Sequence, residues 1–355
     1  MKLHMIKILV SSLLALVSLA CNTQSIAPDE PAPSYNFTPV DKFIENNVAN
    51  YNDQVVVLVS QNGKLIYHKA MGLDSMSIRP IASASKWLSA AVMMSLVDDN
   101  KISLDDTVGK FLPIFTANRK GNITIRQLFS HTAGFDGDSE QGYEYQRNIT
   151  LAAAVDSIAL YVPLVFSPGS AFSYGSSGMH IGGRIAELVS GKSWQDLFNE
   201  KIGEPCKMNV RYGSASNPII AGGANTSAGD YLKFLEMIIN NGTYAGKRVL
   251  SENALKIMLS DQTNGAVIKG TPYATNPFSP YPNTSIRYGT GNWLDVVDES
   301  GNVLESSSPG LFGTHPWQDS KNKIAGIVFT QTTPKKSSLT SLEIRKMIRD
   351  IVEKQ

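Results

Sequence analysis

The chain has 355 residues, enough for one large domain with two lobes or for two domains. Charged residues make up 18% of it and nearly cancel, to a net charge of +1, and they form no basic or acidic block. We therefore expect no nucleic-acid partner. The five histidines have no metal-ligand spacing, so we predict neither a metal nor another cofactor.

The N-terminus has the layout of a secretory signal peptide. Lys2 and Lys7 precede an apolar run over residues 8–20, which is too short to span a bilayer comfortably. Cys21 follows at once, and this arrangement resembles a bacterial lipoprotein signal, in which the cysteine carries the lipid. We predict export to the cell envelope with a membrane anchor on Cys21, and simple secretion is the alternative. The predicted segments are a signal peptide (1–20), a proline-rich tether (21–35) and one domain (36–355).

Strand-like segments occur near both ends of the domain. A helix start at Thr38, with proline at the next position, precedes the first pair of strands. Asn62-Gly63 between these strands is a strong signal for a two-residue hairpin turn. The predicted strands cover 54–60, 64–70, 286–296, 310–314 and 324–330, and a closing helix covers 339–352.

The middle of the chain reads mostly as helix and loop. Strands at both ends with helices inserted between them indicate an α+β fold, in which both chain ends build one antiparallel sheet with flanking helices. The inserted, mostly helical lobe covers about 83–265, and the cleft between sheet and lobe is the natural place for a site. Cys206 in this lobe has no disulfide partner in the mature chain and is expected to be a buried thiol. The predicted helices cover 125–130, 151–160, 178–189, 194–200, 228–240 and 251–259.

The first helix of this lobe, predicted from Ser83 to Asp98, is apolar almost all the way round and therefore belongs in the core. Its first turn nevertheless carries Ser83 and Lys86, which share a helix face. Burial favours the neutral form of a lysine, and a neutral amine beside a hydroxyl is a general base beside a nucleophile. The spacing alone also occurs by chance, as at Ser320 and Lys323, which lack an apolar helix behind them.

Further polar residues stand out by their context. Tyr174 lies in a glycine- and serine-rich loop, where a phenol can pass a proton if a lysine lies near, although packing is the commoner role of such a tyrosine. His131 ends a predicted helix, and a structural role is expected. Ser308-Pro309-Gly310 precedes or begins a predicted strand, and a glycine there lets substrate approach the backbone, so Ser308 and Gly310 are candidate substrate-binding residues.

Several segments together resemble the serine β-lactamase and penicillin-binding-protein superfamily. Within it, the nearest branch comprises class C β-lactamases, D-alanyl-D-alanine carboxypeptidases and the family VIII esterases that share their fold. The resemblance extends from about residue 40 to 354. The matching segments, in the family's order, are IASASK, ISLDDTV, LFSHTAGF, PGSAFSYGSSG, AGGANTSAGDYLKFL, YGTGNW and IAGIVFTQ.

The resemblance implies a mechanism. Ser83 would attack a carbonyl and form an acyl-enzyme, while Lys86 and Tyr174 would share the proton transfers. The backbone N–H groups of Ser83 and Leu311 would form the oxyanion hole, where one donor typically contributes about 10²–10³ in rate. His131 matches a family position that shapes the loop near the site.

Two departures from the family pattern concern the substrate-binding residues. Ser176 replaces the asparagine of the usual Y-x-N motif, and Ser308-Pro309-Gly310 replaces K-T-G. A similar triplet, Lys269-Gly270-Thr271, lies too early in the chain to be its equivalent. Ser308 offers a hydrogen bond but no charge, which forfeits a charge-assisted contact of roughly 1.5–3 kcal/mol to a substrate carboxylate.

These residues lead to three hypotheses of function. The first is a serine hydrolase that cleaves an ester or amide through an acyl-enzyme on Ser83, with esterase activity preferred. The second is a D-Ala-D-Ala peptidase or weak class C-type β-lactamase. The third is a non-catalytic cell-envelope binding protein of the same fold. An α/β-hydrolase is excluded because the chain has no G-x-S-x-G motif.

Overall fold

The computed structural model describes residues 34–271 and 273–354. The predicted signal peptide and Cys21 lie outside these residues, so the lipid anchor stays a prediction. Among the described residues, no helix is long and apolar enough to cross a bilayer. The helices are α1 (Thr38–Asn47), α2 (Ser85–Asp98), α3 (Val108–Phe111), α4 (Pro113–Ala117), α5 (Ile125–Phe129), α6 (Leu151–Tyr161), α7 (Ser177–Ser190), α8 (Trp194–Phe198), α9 (Ala228–Ile239), α10 (Glu252–Met258) and α11 (Pro334–Val352).

Both ends of the described chain contribute to one six-stranded antiparallel sheet, as predicted. Its order is β10-β11-β12-β13-β1-β2, so the N-terminal hairpin pairs with the last strand of the chain. The remaining strands form small two- and three-stranded sheets around the lobe. The strands are β1 (Val55–Gln61), β2 (Lys64–Met71), β3 (Arg79–Pro80), β4 (Ala171–Ser173), β5 (Arg211–Tyr212), β6 (Ala224–Thr226), β7 (Thr243–Tyr244), β8 (Lys247–Arg248), β9 (Val267–Gly270), β10 (Trp293–Val297), β11 (Val303–Ser307), β12 (His315–Asp319) and β13 (Ile324–Thr330).

The interior strand β1, which lies between β13 and β2, is buried on both faces, and this explains its continuous run of valine and leucine. Val55, Val57 and Val59 pack with apolar residues of α1 and α11 on one face. Val56 and Leu58 point to the other face and join the core of the helical lobe. Because side chains alternate along a strand, this one segment connects the two layers of the molecule.

Helix α2 lies in the middle of the lobe core, as its composition predicts. Residues 85 to 96 are all buried, including the polar Ser85 and Lys86. Trp87 packs edge-on against Phe234 of α9 at a ring distance of 6.0 Å. The helix therefore holds its first turn, and the residues just before it, in a fixed position.

Several predicted boundaries were wrong. The segment 310–314 is a turn, because Gly313 adopts a φ of +89° and its N–H bonds to the carbonyl of Gly310, and the strand begins only at His315. The strand predicted over 286–296 covers Trp293–Val297, and β11 was not predicted. The closing helix begins five residues earlier than predicted, at Pro334.

Candidate active site

Ser83 lies in a 3₁₀ turn, Ala82–Ala84, and not in the helix that was predicted to contain it. The preceding Ala82 has a φ of +46°, a left-handed conformation that is costly for alanine and interrupts the helix. The Ser85 hydroxyl holds this turn: it donates to the Ala82 carbonyl at 2.6 Å and accepts from the Ala224 N–H at 3.0 Å. The turn presents the Ser83 side chain, half-buried, at the start of α2.

Lys86 lies one turn further, on the same side. Its Nζ is 3.2 Å from the Ser83 Oγ and donates to the Ala221 carbonyl at 3.1 Å. Burial lowers the pKa of the Lys86 ammonium to about 8, and the negative charge of Asp138 limits the decrease. A substantial fraction of Lys86 is therefore neutral near pH 8 and able to accept a proton.

Tyr174 approaches the same two side chains from a separate loop. Its backbone N–H donates to the Gly270 carbonyl at 2.9 Å, which ties the loop to β9. The Lys86 Nζ is 4.7 Å from the centroid of the Tyr174 ring. Burial raises the pKa of the Tyr174 phenol, and hydrogen bonding with the Ser83 side chain partly opposes this rise. The structure thus brings the three predicted groups together, with the tyrosine protonated.

His131 supports Tyr174 from behind. It has a φ of +59°, and its ring lies 4.6 Å from the Tyr174 ring and 4.8 Å from the Tyr288 ring. Its Nδ1 faces the N–H of Gly175 at 3.5 Å. Burial and the nearby Lys86 charge hold the pKa of His131 well below its usual value, so it is neutral. These contacts fit the structural role that the sequence suggested.

The segment around Gly310 packs tightly behind the nucleophile. A Cβ on Gly310 would lie 2.1 Å from the Ile81 carbonyl oxygen, so only glycine permits this approach of the two backbones. Leu311 follows, its side chain 65% exposed, and lines the same cavity as Ser83. Among the described residues, no backbone acceptor receives the N–H of Ser83 or Leu311. These donors are available for an oxyanion, and the oxyanion hole stays a prediction.

The two serines predicted to bind substrate differ in their placement. The Ser308 hydroxyl is buried and lies 3.3 Å from the carbonyl oxygens of both Ser83 and Gly291. It therefore braces the backbone at Ser83, and the predicted contact of Ser308 with substrate stays a prediction. Ser176 does line the site, where its Oγ is 3.0 Å from the Tyr145 hydroxyl.

Sequence reasoning missed a loop that carries Asp136, Asp138 and Tyr145. The Tyr145 hydroxyl donates to Asp138 Oδ2, and the Ser176 N–H donates to Asp138 Oδ1 at 2.6 Å. Buried Glu144 holds the loop in place by accepting from the N–H of Ser139 at 3.1 Å. No spacing in the sequence links these residues to Ser83, although acids within a glycine-rich loop were a usable signal.

The segment Lys269-Gly270-Thr271, set aside as too early in the chain, also reaches the site. Strand β9 pairs with β4 directly before Tyr174, which brings Gly270 and Thr271 to the cavity wall. A Cβ on Gly270 would lie 1.7 Å from the Ser173 Oγ, so glycine is required there as well. Lys269 is exposed and does not line the cavities around Ser83.

Three cavities meet at Ser83. The aromatic cavity, of about 170 Å³, is walled by Tyr174, Tyr273, Phe278 and Trp293. The acidic cavity, of about 500 Å³, contains Lys86, Asp136 and Asp138. The third, also about 500 Å³, contains Lys86 and Arg147, and we call it the glycine-lined cavity after Gly213, Gly222 and Gly223. No group of side chains in the described part of the chain has the composition of a metal site.

A family model and several known proteins match this chain. The family model described as Beta-lactamase matches residues 40–346. The chain is 32% identical over 145 residues to penicillin-binding protein 4 of Amycolatopsis lactamdurans, which covers 39% of this chain and 38% of that relative's length.

Solved structures are similar over nearly the whole described domain. A candidate β-lactamase from Bacteroides dorei DSM 17855 superposes with a TM-score of 0.79 and 30% identity, covering 90% of this chain and 100% of the other. A family VIII carboxylesterase superposes with a TM-score of 0.69 and 18% identity, covering 89% and 98%. The latter similarity concerns the fold.

Proposed function

Because the chain belongs to the β-lactamase family, we propose that it is a serine hydrolase that cleaves esters through an acyl-enzyme on Ser83. The observation that carries the proposal is the distance of 3.2 Å between the Lys86 Nζ and the Ser83 Oγ. It is supported by the lowered pKa of Lys86, about 8, and by the phenol of Tyr174 beside both groups. A base within hydrogen-bond reach of a nucleophile is the geometry that acyl transfer requires.

In the acylation step, neutral Lys86 takes the proton of the Ser83 hydroxyl as the oxygen attacks the ester carbonyl. The N–H groups of Ser83 and Leu311 stabilise the developing oxyanion. When the C–O bond breaks, the Tyr174 phenol gives its proton to the leaving alcohol and regains one from Lys86. Ser83 is then acylated, the alcohol is free, and Lys86 is neutral again.

Deacylation reverses these transfers with water as the nucleophile. Lys86 and Tyr174 remove a proton from the water, which attacks the acyl carbonyl. The Ser83 oxygen leaves and regains its proton from the same pair, and the carboxylic acid is released. Both half-reactions use the same three side chains, so no further catalytic group is required.

The charges around Ser83 favour an ester over a penicillin or a peptide ending in a carboxylate. The aromatic cavity is lined by no lysine or arginine among the described residues. The acidic cavity places Asp136 and Asp138 near the nucleophile, where they repel an anionic substrate. Ser308, which replaces the cation of the family's third motif, likewise supplies no positive charge to bind a substrate carboxylate.

The glycine-lined cavity supports the alternative of a D-Ala-D-Ala peptidase or weak β-lactamase. Arg147 lines this cavity together with Ser83 and Lys86. An arginine there could receive a substrate carboxylate through paired hydrogen bonds. The side chain is exposed, which weakens such a contact, so this function is the second candidate.

An activity panel on the wild type and the Ser83→Ala variant tests the proposal. The panel comprises short-chain p-nitrophenyl esters, nitrocefin and a D-Ala-D-Ala peptide. We expect the esters to be the best substrates and Ser83→Ala to lose on the order of 10⁴–10⁶ in kcat. The exposed Ser300→Ala variant is the matched control and should keep full activity. Ester turnover that survives in Ser83→Ala would refute the assignment.

A further inference from the structure

The aromatic cavity is a preformed apolar compartment beside the nucleophile. The Tyr174 and Trp293 rings lie 5.3 Å apart, Trp293 and Phe278 lie 5.2 Å apart, and Phe278 contacts Tyr273 at 6.1 Å. These distances are typical of mutually packed rings, so the walls need no ligand to hold them in place. A cavity of about 150 Å³ suffices to hold benzene, so the volume of about 170 Å³ suits a single six-membered ring.

Several polar side chains line this largely apolar compartment, and among them His315 is buried and, within the described chain, unpaired, whereas the buried Ser341 hydroxyl is paired with the Tyr51 hydroxyl. The residue is 2% exposed, and its ring packs edge-on against Phe278 at 6.1 Å and Trp317 at 6.2 Å. Its Nε2 is fully buried, and neither ring nitrogen has a hydrogen-bond partner among the described residues. The Nδ1 is therefore the nitrogen that a ligand in the cavity can reach, and it offers that ligand a hydrogen bond.

The imidazole of His315 is uncharged. Burial, together with the positive charge of Arg345, lowers the pKa of His315 to about 3. A neutral imidazole offers one donor and one acceptor. No aspartate, glutamate, lysine or arginine of the described chain lines the cavity, so it suits an uncharged group with a hydrogen-bonding atom.

The positions of the proton-transfer groups indicate which half of the substrate enters. Tyr174 lines the aromatic cavity and Lys86 does not, whereas Lys86 lines the glycine-lined cavity and Tyr174 does not. In the mechanism above, Tyr174 gives its proton to the leaving alcohol, which must therefore lie on the side of its phenol. The acyl group would then lie on the side of the glycine-lined cavity.

We propose that the aromatic cavity is the leaving-group subsite, and that it takes an uncharged alcohol with one aromatic ring whose polar atom hydrogen-bonds to His315. This inference rests on the proposed ester hydrolysis and names the class of ester. His315 is thereby a specificity-determining residue, in contact with the substrate and outside the proton transfers.

A series of acetate esters tests the subsite with the acyl group held constant. The esters are those of ethanol, benzyl alcohol and the isomeric pyridylmethanols, each rate being corrected for the ester's own reactivity toward hydroxide. We expect the wild type to prefer benzyl over ethyl acetate by at least about tenfold in kcat/KM. One pyridylmethyl isomer should exceed benzyl by about five- to tenfold, as one additional hydrogen bond allows.

The His315→Phe variant keeps a ring and removes both nitrogens. We expect it to lose the pyridylmethyl preference, to keep the preference for benzyl over ethyl, and to show an unchanged or raised melting temperature because an unpartnered polar group is gone. His315→Gln, which retains a donor and an acceptor, should restore part of the preference. His68→Phe, at an exposed position on β2, is the matched control and should change nothing.

Binding of the free alcohols to the Ser83→Ala protein, measured by titration calorimetry, separates this inference from the proposed function. The subsite is supported if the Ser83→Ala protein binds a pyridylmethanol more tightly than benzyl alcohol and the double variant Ser83→Ala, His315→Phe loses this difference. That result would support the subsite even if no ester is turned over. Hydrolysis of all the esters at similar corrected rates, or a pyridylmethyl preference that survives His315→Phe, would overturn the subsite and leave the hydrolase assignment intact. A melting temperature that falls with no change in selectivity would show a purely structural histidine.

Discussion

At the scale of single residues, the proposed reactivity of Ser83 depends on whether the Lys86 amine carries a proton. A buried ammonium is less stable than one in water, and here the Nζ has one carbonyl and one hydroxyl as hydrogen-bond partners. Asp138 is the charged group that most directly opposes this effect. The local electrostatics therefore place the protonation change of Lys86 near pH 8.

The first prediction concerns the pH dependence of ester hydrolysis. Because Lys86 must be neutral to accept a proton, kcat/KM should rise with pH and level off above a midpoint near 8, the pKa of Lys86 in the free protein. Asp138→Asn removes the charge that raises this pKa, so the midpoint should move to lower pH. Glu140→Gln, on the same exposed loop, is the control and should leave it unchanged. A midpoint that Asp138→Asn moves upward would contradict the assignment of Lys86 as base.

A second prediction concerns the close contact behind the nucleophile. Gly310→Ala places a Cβ 2.1 Å from the Ile81 carbonyl, so the segment carrying the Leu311 N–H must shift. Loss of one oxyanion donor typically costs about 10²–10³ in rate, and we expect a decrease in kcat of that order. The matched control is Gly203→Ala, where the nearest atom lies 3.5 Å away. Equal kcat values for the two variants would speak against a role of this segment.

Sequence reasoning could identify Ser83 and Lys86 because their spacing and the apolar helix behind them are local features. Tyr174 required the family resemblance, since 88 residues separate it from Lys86 and only tertiary structure joins them. The Ser308 hydroxyl faces two backbone carbonyl oxygens, an orientation that no local sequence pattern reveals, and its contact with substrate stays a prediction. His315 was not among the predicted site residues, because it directly follows the strand predicted over 310–314 and carries no pattern of its own.

At the scale of secondary-structure elements, α11 is fixed to the sheet by a buried ion cluster. Arg345, 1% exposed, pairs with Asp295 of β10 at 2.7 Å and with Glu305 of β11 at 2.6 Å. Arg349 pairs with Glu305 at 2.6 Å as well. Burial raises the pKa of Asp295 to about 6, and the Arg345 charge limits that rise. The cluster joins the closing helix to β10 and β11, and Trp293 of β10 lines the aromatic cavity.

The third prediction tests this cluster through stability. Arg345→Met leaves Asp295 buried without its ion-pair partner and Glu305 paired with Arg349 alone, and removing one member of a buried pair costs about 3–5 kcal/mol of unfolding free energy. Urea denaturation monitored by circular dichroism measures the loss. Lys346→Met breaks only the exposed pair with Asp350 one position further along, and should change stability by less than about 0.5 kcal/mol. Similar effects of the two variants would show that burial of the cluster is unimportant.

The elements themselves were predictable to different degrees. Long periodic segments such as α2 and the hairpin at Asn62-Gly63 were predicted because hydrophobic pattern and turn residues agree. The turn before β12 was mistaken for a strand, because its residues Leu311 and Phe312 are apolar while the backbone follows Gly310 and Gly313. Strand β11 was missed because its polar residues, Glu305 to Ser307, are buried by ion pairing and sheet contacts that sequence does not display.

At the scale of the whole molecule, the strands from the two ends of the described chain form one sheet, and the helical lobe carries Ser83, the proposed nucleophile. The α+β architecture followed from the order of elements, since strands at both ends must pair across the insertion. The placement of three cavities around Ser83 could not be predicted from that order, because loops that are far apart in the sequence supply the cavity walls. We propose further that the molecule is exported and anchored through Cys21, which places this cleft outside the cytoplasm.

The central claim is that Ser83 is the activated nucleophile. Labelling with a fluorophosphonate, followed by peptide mass spectrometry, measures this directly and requires no knowledge of the natural substrate. We expect the wild type to carry the label on the peptide containing Ser83, Lys86→Met to label far more slowly, and Ser83→Ala to remain unlabelled. A protein that binds no label, or that carries it on another serine, would contradict the account.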